Sequence, residues 1–242
     1  MATKKEVVKV DVPITKKMPE KKFVPTPENK SKATRNRLIA LVLWLVAIAI
    51  EVFAIFQLKQ VTINMTIMLV SLVAMGVLAV IGSLLWQKAN RLDPASEKDK
   101  VKFFIQNQLG AIIAVIAFLP LVILILTNKD LKGKEKGILA AAAVVVFAIA
   151  AIVGIDFNPV SAERFAQESA LVESLMGENA PVYWTENGTR YHLYQDCQHI
   201  NTSRTERHYE GTVPQAYELK NIKEMCKTCR KRAEAALADN TE

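Results

Sequence analysis

Four long apolar runs, at about residues 38–58, 63–86, 103–126 and 138–155, constrain this chain more than any other feature. A hydrocarbon core about 30 Å thick takes roughly 20 apolar helical residues to cross. Inside it, each segment must satisfy its own backbone N–H and C=O groups. The runs match that length and carry almost no charge, so four transmembrane helices are expected over residues 37–156. The first run begins at Leu38, is too long for the apolar stretch of a secretory signal and has no small-residue cleavage site, so it is read as a spanning helix. An apolar content of 51% is too high for an ordinary soluble domain.

The charge is as unevenly spread as the apolar residues. The chain carries a formal net charge of +7, and Met1–Arg37 alone holds eleven basic against four acidic residues. Beside a membrane helix, such a segment is explained by orientation and by anionic lipid headgroups before nucleic acid. With Pro13, Pro19, Pro25 and Pro27 breaking it up, residues 1–36 read as a disordered basic arm. The loop after the second run is basic too, through Lys88, Arg91, Lys98, Lys100 and Lys102, whereas the first loop offers only Lys59. Both termini are therefore expected in the cytoplasm, with the bundle in the cytoplasmic (inner) membrane. The third loop, with Lys129, Lys132, Lys134 and Lys136, runs against this rule.

Within the spans, Trp86 stands where an interfacial aromatic belongs, and the Ala-rich fourth run suggests a helix packed inside the bundle. Glu51 is the ionisable residue well inside a span, about 10 Å deep at 1.5 Å per residue. It is expected to be neutral and hydrogen-bonded, inside the bundle or at a subunit interface of a homo-oligomer. Ser71 lies at comparable depth on the second run, and Pro120 frees the carbonyl of Ile116 on the third. Gln106, Asn107 and Gln108 lie toward the other side with nothing polar between, which argues against a conducting path.

Residues 157–178 read as an amphipathic linker helix, with Asn158 as N-cap, Pro159 at the first helical position and Gly177 as its stop. Residues 179–242 then hold all three cysteines. From Val182 to Tyr194 apolar and polar residues alternate about Asn187-Gly188, a pattern that predicts a β-hairpin with a two-residue turn. His192-x4-Cys197 follows it and Cys226-Lys227-Thr228-Cys229 makes a tight knuckle, with room for a short helix around Pro214–Asn221 between them. Two short-spaced pairs of nitrogen and sulfur ligands are how closed tetrahedral zinc sites are built. The expected ligands are His192, Cys197, Cys226 and Cys229, with His199 as the alternative to His192 and His208 or an outside ligand behind it. The competing reading is three unpaired buried thiols. The fold class expected is mainly α, a four-helix transmembrane bundle with a small C-terminal α+β zinc-binding domain.

The run Tyr191-His192-x4-Cys197, a helical stretch containing Ala216, and Met225-Cys226-Lys227-Thr228-Cys229 resemble the Ada-type metal-binding domain over about residues 181–232. The resemblance implies a small zinc-centred α+β module. In the repair members of that family four thiolates bind the metal and the first accepts a methyl group. His192 stands at that first position here, so methyl transfer is not expected. Four ligand candidates also argue against a catalytic ion, which keeps a position open for water. Glu186, Asp196 and Glu206 are nearby carboxylates of the kind any polar domain carries. Lys227, Arg230, Lys231 and Arg232, with Arg204, Arg207 and Lys220 upstream, form a basic patch of the kind that binds a phosphate backbone, yet residues 156–242 hold fourteen acidic against ten basic residues, so lipid headgroups or a protein surface are expected ahead of nucleic acid. The sequence thus points to a non-enzymatic membrane protein whose zinc domain serves an unidentified protein partner or a regulatory task. The alternatives are a transporter or channel subunit with a zinc-domain sensor, and membrane-tethered nucleic-acid binding.

Overall fold

The computed structural model describes residues 23–205, 207–220, 222 and 224–239. Four long helices, α1 (Pro27–Leu58), α2 (Met65–Leu92), α3 (Lys100–Thr127) and α4 (Gly133–Gly154), are each long and apolar enough to cross a membrane. They are followed by α5 (Ala162–Met176), β1 (Val182–Thr185), β2 (Arg190–Tyr191), β3 (His208–Gly211), α6 (Val213–Lys220), β4 (Glu224–Met225) and α7 (Lys227–Asp239). Side chains cap three of the long helices: Thr26 accepts from the N–H of Asn29, Asn64 from Ile67 and Asp99 from Lys102.

The basic arm is shorter than its composition suggests. Residues 1–22 lie outside the described residues, but α1 already begins at Pro27. Proline at the first helical position loses no hydrogen bond, so Pro27 starts the helix where it was expected to prevent one. The added turns are held by packing, since Ala33 is buried against Ala89 and Leu92. Arg37 donates to the Asp93 carboxylate and to the Asp93 carbonyl, each at 2.7 Å.

Inside the bundle, α2 packs against each of the other long helices. Its inward face carries Ser71, Gly76, Ala79, Gly82 and Ser83, while Val70, Val73 and Val77 point outward and are exposed. Small residues inside and large aliphatic ones outside suit lipid, which offers aliphatic side chains as good a solvent as the interior does. Gly82 is required by close approach, because a Cβ there would lie 2.5 Å from Trp44 Nε1. The fourth helix corrects an expectation. Only 22% of its most apolar stretch is buried, against 44% for α2, so the Ala-rich helix lies at the bundle's edge. It still comes very close to α3: a Cβ on Gly154 would meet the Ala111 nitrogen and the Gly110 carbonyl carbon, both at 2.6 Å.

One end of the bundle is laced by polar side chains. Trp86 Nε1 and Asn90 Nδ2 both donate to the Gln106 carbonyl, at 2.7 and 2.9 Å, and Gln87 Nε2 donates to the Val153 carbonyl at 2.8 Å. To this end the C-terminal unit is fastened. The Ala162 N–H donates to the Ala95 carbonyl at 3.1 Å, and the Glu163 carboxylate accepts from the Ser96 hydroxyl and from the Glu97 N–H. Desolvation works against the charge on Glu163, but these hydrogen bonds outweigh it and hold its carboxyl below the usual range.

The α5 helix starts later than expected. Ser161, not Asn158, is its N-cap, accepting from the Arg164 N–H at 3.1 Å, because Val160 is drawn into the core and the chain turns only after it. The helix packs on α6 and α7 and buries Phe165 and Val172 among their residues. Phe165 packs at a tilt against Tyr217 with ring centroids 4.5 Å apart and stacks on Phe23 at 4.8 Å.

Candidate metal centre

The C-terminal unit contains two small sheets. β1 pairs antiparallel with β3, from Val182 opposite Gly211 to Thr185 opposite His208, and β2 pairs parallel with β4. The expected hairpin is thus reduced to one bridge, Tyr183 opposite His192, closed by N–H···O bonds of 2.8 and 2.7 Å. The reason is the turn. The Gly188 N–H donates to the Thr185 carbonyl, so Glu186 and Asn187 occupy the corner, and neither Asn187 nor Gly188 takes the positive φ that a two-residue hairpin requires. β1 finds its ladder in β3, where Trp184 stacks on Tyr209 at 6.2 Å.

That single bridge delivers His192 to the site. Cys197 sits in a turn closed by its own carbonyl, which accepts from the N–H groups of Ile200 and Asn201 at 2.9 and 2.8 Å. The Cys226 N–H donates to the Tyr191 carbonyl at 2.8 Å, joining the knuckle to the strand before His192, and Cys229 stands in the first turn of α7. The four side chains converge: one ligand atom from each lies within 4.8 Å of the others, and all four residues are at most 5% exposed. No disulfide links the three cysteines. His192 Nδ1 is 3.6 Å from Cys229 Sγ. A nitrogen about 2.0 Å and a sulfur about 2.3 Å from one tetrahedral ion stand roughly 3.5 Å apart, so the pair already has the spacing of two ligands on one metal. The cluster can hold a metal ion.

Its electrostatics suit that task. Burial above all, helped by the nearby His199, Arg190 and His208, holds the His192 imidazole down at about 4, so the ring stays neutral with a lone pair to offer. Burial disfavours a Cys226 thiolate, but the backbone N–H groups of Cys229 and Thr228 outweigh it and hold this thiol below its ordinary value. Cys229 is pushed up to about 12, chiefly by burial. Cys226 is thus eased toward its thiolate, and an ion would supply the charge that stabilises bound thiolates.

The other histidines are engaged elsewhere. His199 Nε2 lies 3.0 Å from Thr228 Oγ1, and His208 Nε2 lies 2.9 Å from the Ile200 carbonyl. Among the nearby carboxylates, Asp196 accepts two hydrogen bonds from Arg232, which in turn covers the Tyr194 ring at 4.1 Å. Glu206 lies outside the described residues. The sequence gave no sign of one further contact, the buried Tyr191 hydroxyl donating to Glu168 of α5. Burial first, and then the Glu168 charge, raise the Tyr191 phenol, so it remains a donor. Two residues in different elements carry no local pattern by which this pair could have been found.

In the bundle, Glu51 is 4% exposed and Ser71 6%. The hydrogen bonding expected of Glu51 is incomplete: its Oε1 has no partner, so the Ser71 hydroxyl does not reach it, and the N–H of Leu121, next to Pro120, is the backbone group directed at the carboxyl. Glu51→Gln, which keeps the shape without an ionisable group, should leave the four-helix bundle folded. Size-exclusion profiles and helical circular dichroism matching wild type in detergent are the expected result, and an aggregated variant would show that the carboxyl itself is structural.

Compared with protein-family models, curated proteins and solved structures, the chain matches none.

Proposed function

We propose that this is a multi-pass protein of the cytoplasmic membrane whose C-terminal unit, on the cytoplasmic side, is a structural zinc domain acting as a protein-interaction or regulatory module, not as an enzyme. The observation that carries the reading is the closed set of four buried ligands, His192, Cys197, Cys226 and Cys229. Three thiols and an imidazole favour zinc over hard cations, which take oxygen ligands. With all four corners taken by protein, no position is left for the water a hydrolytic ion would activate. The Ada-type resemblance of residues 181–232 supports the same reading.

Placement supports the cytoplasmic side. The start of α1, the basic loop between α2 and α3, and the C-terminal unit share one end of the molecule, through the Phe23–Phe165 stack and the Glu163–Glu97 contact. Positive charge at that end favours the cytoplasm. The basic arm would meet anionic headgroups there, leaving the zinc domain for a protein partner. A transporter needs polar groups across the membrane, but between Glu51 and Ser83, which lies against Gly110 one turn from Asn107, the interior includes Ala79, Ala114, Ala117 and Phe118 and no ionisable side chain among the described residues.

In-cell crosslinking read by mass spectrometry tests the module directly. Crosslinks from residues 182–239 to a defined partner are expected in wild type and should disappear in Cys226→Ser, while crosslinks from α1–α4 persist. Identical sets in the two proteins would sink the proposal.

A further inference from the structure

An open cleft of about 730 Å³ adjoins the metal cluster, with His192 and Cys226 on its wall. That volume lies within the range of small-ligand sites. Four cations line it: Arg190, Arg204, Arg207 and Lys227. Arg190 has a loose ion pair with Glu224, 3.3 Å apart and largely exposed, and such pairs contribute little. The hydroxyls of Thr185, Thr189 and Thr205 share the lining, together with Glu186, the one carboxylate there among the described residues. A zinc ion held by three thiolates and a neutral imidazole carries one net negative charge. Among the described residues the four cations outnumber that charge and Glu186, so this lining keeps a positive surplus inside a segment that is negative as a whole.

We propose that this cleft is a binding site for a small, multiply charged oxyanion of the phosphate class. Guanidinium groups offer paired donors matched to phosphate oxygens, and the threonine hydroxyls add neutral donors beside them. The fourteen acidic residues of segment 156–242 would repel an extended polyanion, so a ligand that fits the pocket is favoured over nucleic acid. The cleft is built by the loops that hold His192, Cys197 and Cys226, so the inference rests on the zinc-domain reading. An anion there would bridge the β1–β2 loop, Arg204, Thr205 and Arg207, and the start of α7, and would give the module a ligand to report.

The test uses the full chain in phosphatidylcholine nanodiscs, with zinc content measured in every sample. Calorimetric titration with pyrophosphate should give saturable one-to-one binding, tighter than inorganic phosphate. The Arg204→Ala/Lys227→Ala double variant should bind at least tenfold more weakly at unchanged zinc content, and Lys231→Ala, on the same helix as Lys227, should bind as wild type does. A repeat in phosphatidylglycerol nanodiscs separates two sources of the same chemistry: a weakened titration assigns the cleft to a lipid headgroup, an unchanged one to a soluble ligand. Absence of saturable binding in zinc-loaded protein, or binding indifferent to the double substitution, would overturn the proposal. Tighter, equally sensitive binding of duplex DNA would overturn its small-ligand form. Zinc-free wild type would instead refute the domain reading beneath it.

Discussion

Cys226→Ser should strip the protein of its metal and unfold residues 182–239 while leaving α1–α4 intact. Purified wild type is expected to carry one zinc per chain, and the variant less than a tenth of that by elemental analysis. Hydrogen exchange should show the loss of protection confined to the C-terminal unit. The expected effect is large because structural zinc contributes on the order of 10 kcal/mol to the folding of small domains, comparable with the whole stability of one. The local geometry sharpens the expectation. Cys226 is both a ligand and, through its N–H to the Tyr191 carbonyl, the link between knuckle and strand, so the remaining three ligands lose their alignment along with their metal. Acid should mimic the substitution. The folded-state value of His192 lies near 4, below the ordinary 6.5. Its contribution is therefore complete above about pH 6.5 and fades as pH falls toward 4, in the direction that also protonates thiolates. Zinc-free wild type whose C-terminal unit is equally protected would establish the reading of three buried free thiols instead, and a variant that keeps its zinc would show that Cys226 is not a ligand.

What could be read from the residues, and what could not, divides along a physical line. The apolar runs were legible because the bilayer fixes their length, and the interiors of α1–α4 fall within the expected spans. Their ends were not, because capping and tertiary contacts decide them. Pro27 begins a helix only because Ala33 has Ala89 and Leu92 to pack on, and Arg37 has Asp93 fifty-six positions away. At the candidate metal cluster the spacing marked the three cysteines and favoured His192, but what brings that histidine in is not local. His192 prevails over His199 through its bridge to Tyr183, while His199 is held by Thr228, twenty-nine positions on. The hairpin misled for the same reason: Asn187-Gly188 favours a turn, yet β1 has a better partner in β3. Glu51 was conspicuous as a charge among aliphatic residues, but whether its oxygens are satisfied depends on three helices at once.

Phe165→Ala is expected to cost about 3–5 kcal/mol, as for large aromatic residues removed from a packed core. Phe165 is fully buried, and its ring lies between Tyr217 of α6 and Phe23 ahead of α1, so truncation leaves a cavity that three separate segments would have to close. The loss reaches beyond the C-terminal unit, because the same helix carries Ala162 and Glu163, which hold the unit to the loop between α2 and α3. Thermal unfolding followed by hydrogen exchange should therefore show α5, α6 and the segment from Phe23 to Ala33 losing protection together. The candidate metal cluster should respond less, since His192, Cys197, Cys226 and Cys229 all lie in other elements, and zinc content at low temperature should stay well above that of Cys226→Ser. Phe157→Ala is the matched control: this side chain is 75% exposed between α4 and α5, and its removal should change stability by less than about 0.5 kcal/mol. If the two substitutions prove equally mild, α5 is only a spacer and the zinc domain hangs free of the bundle. If Phe165→Ala loosens both the docking loop and the start of α1, then α5 is the part through which occupancy of the soluble unit is felt at the membrane.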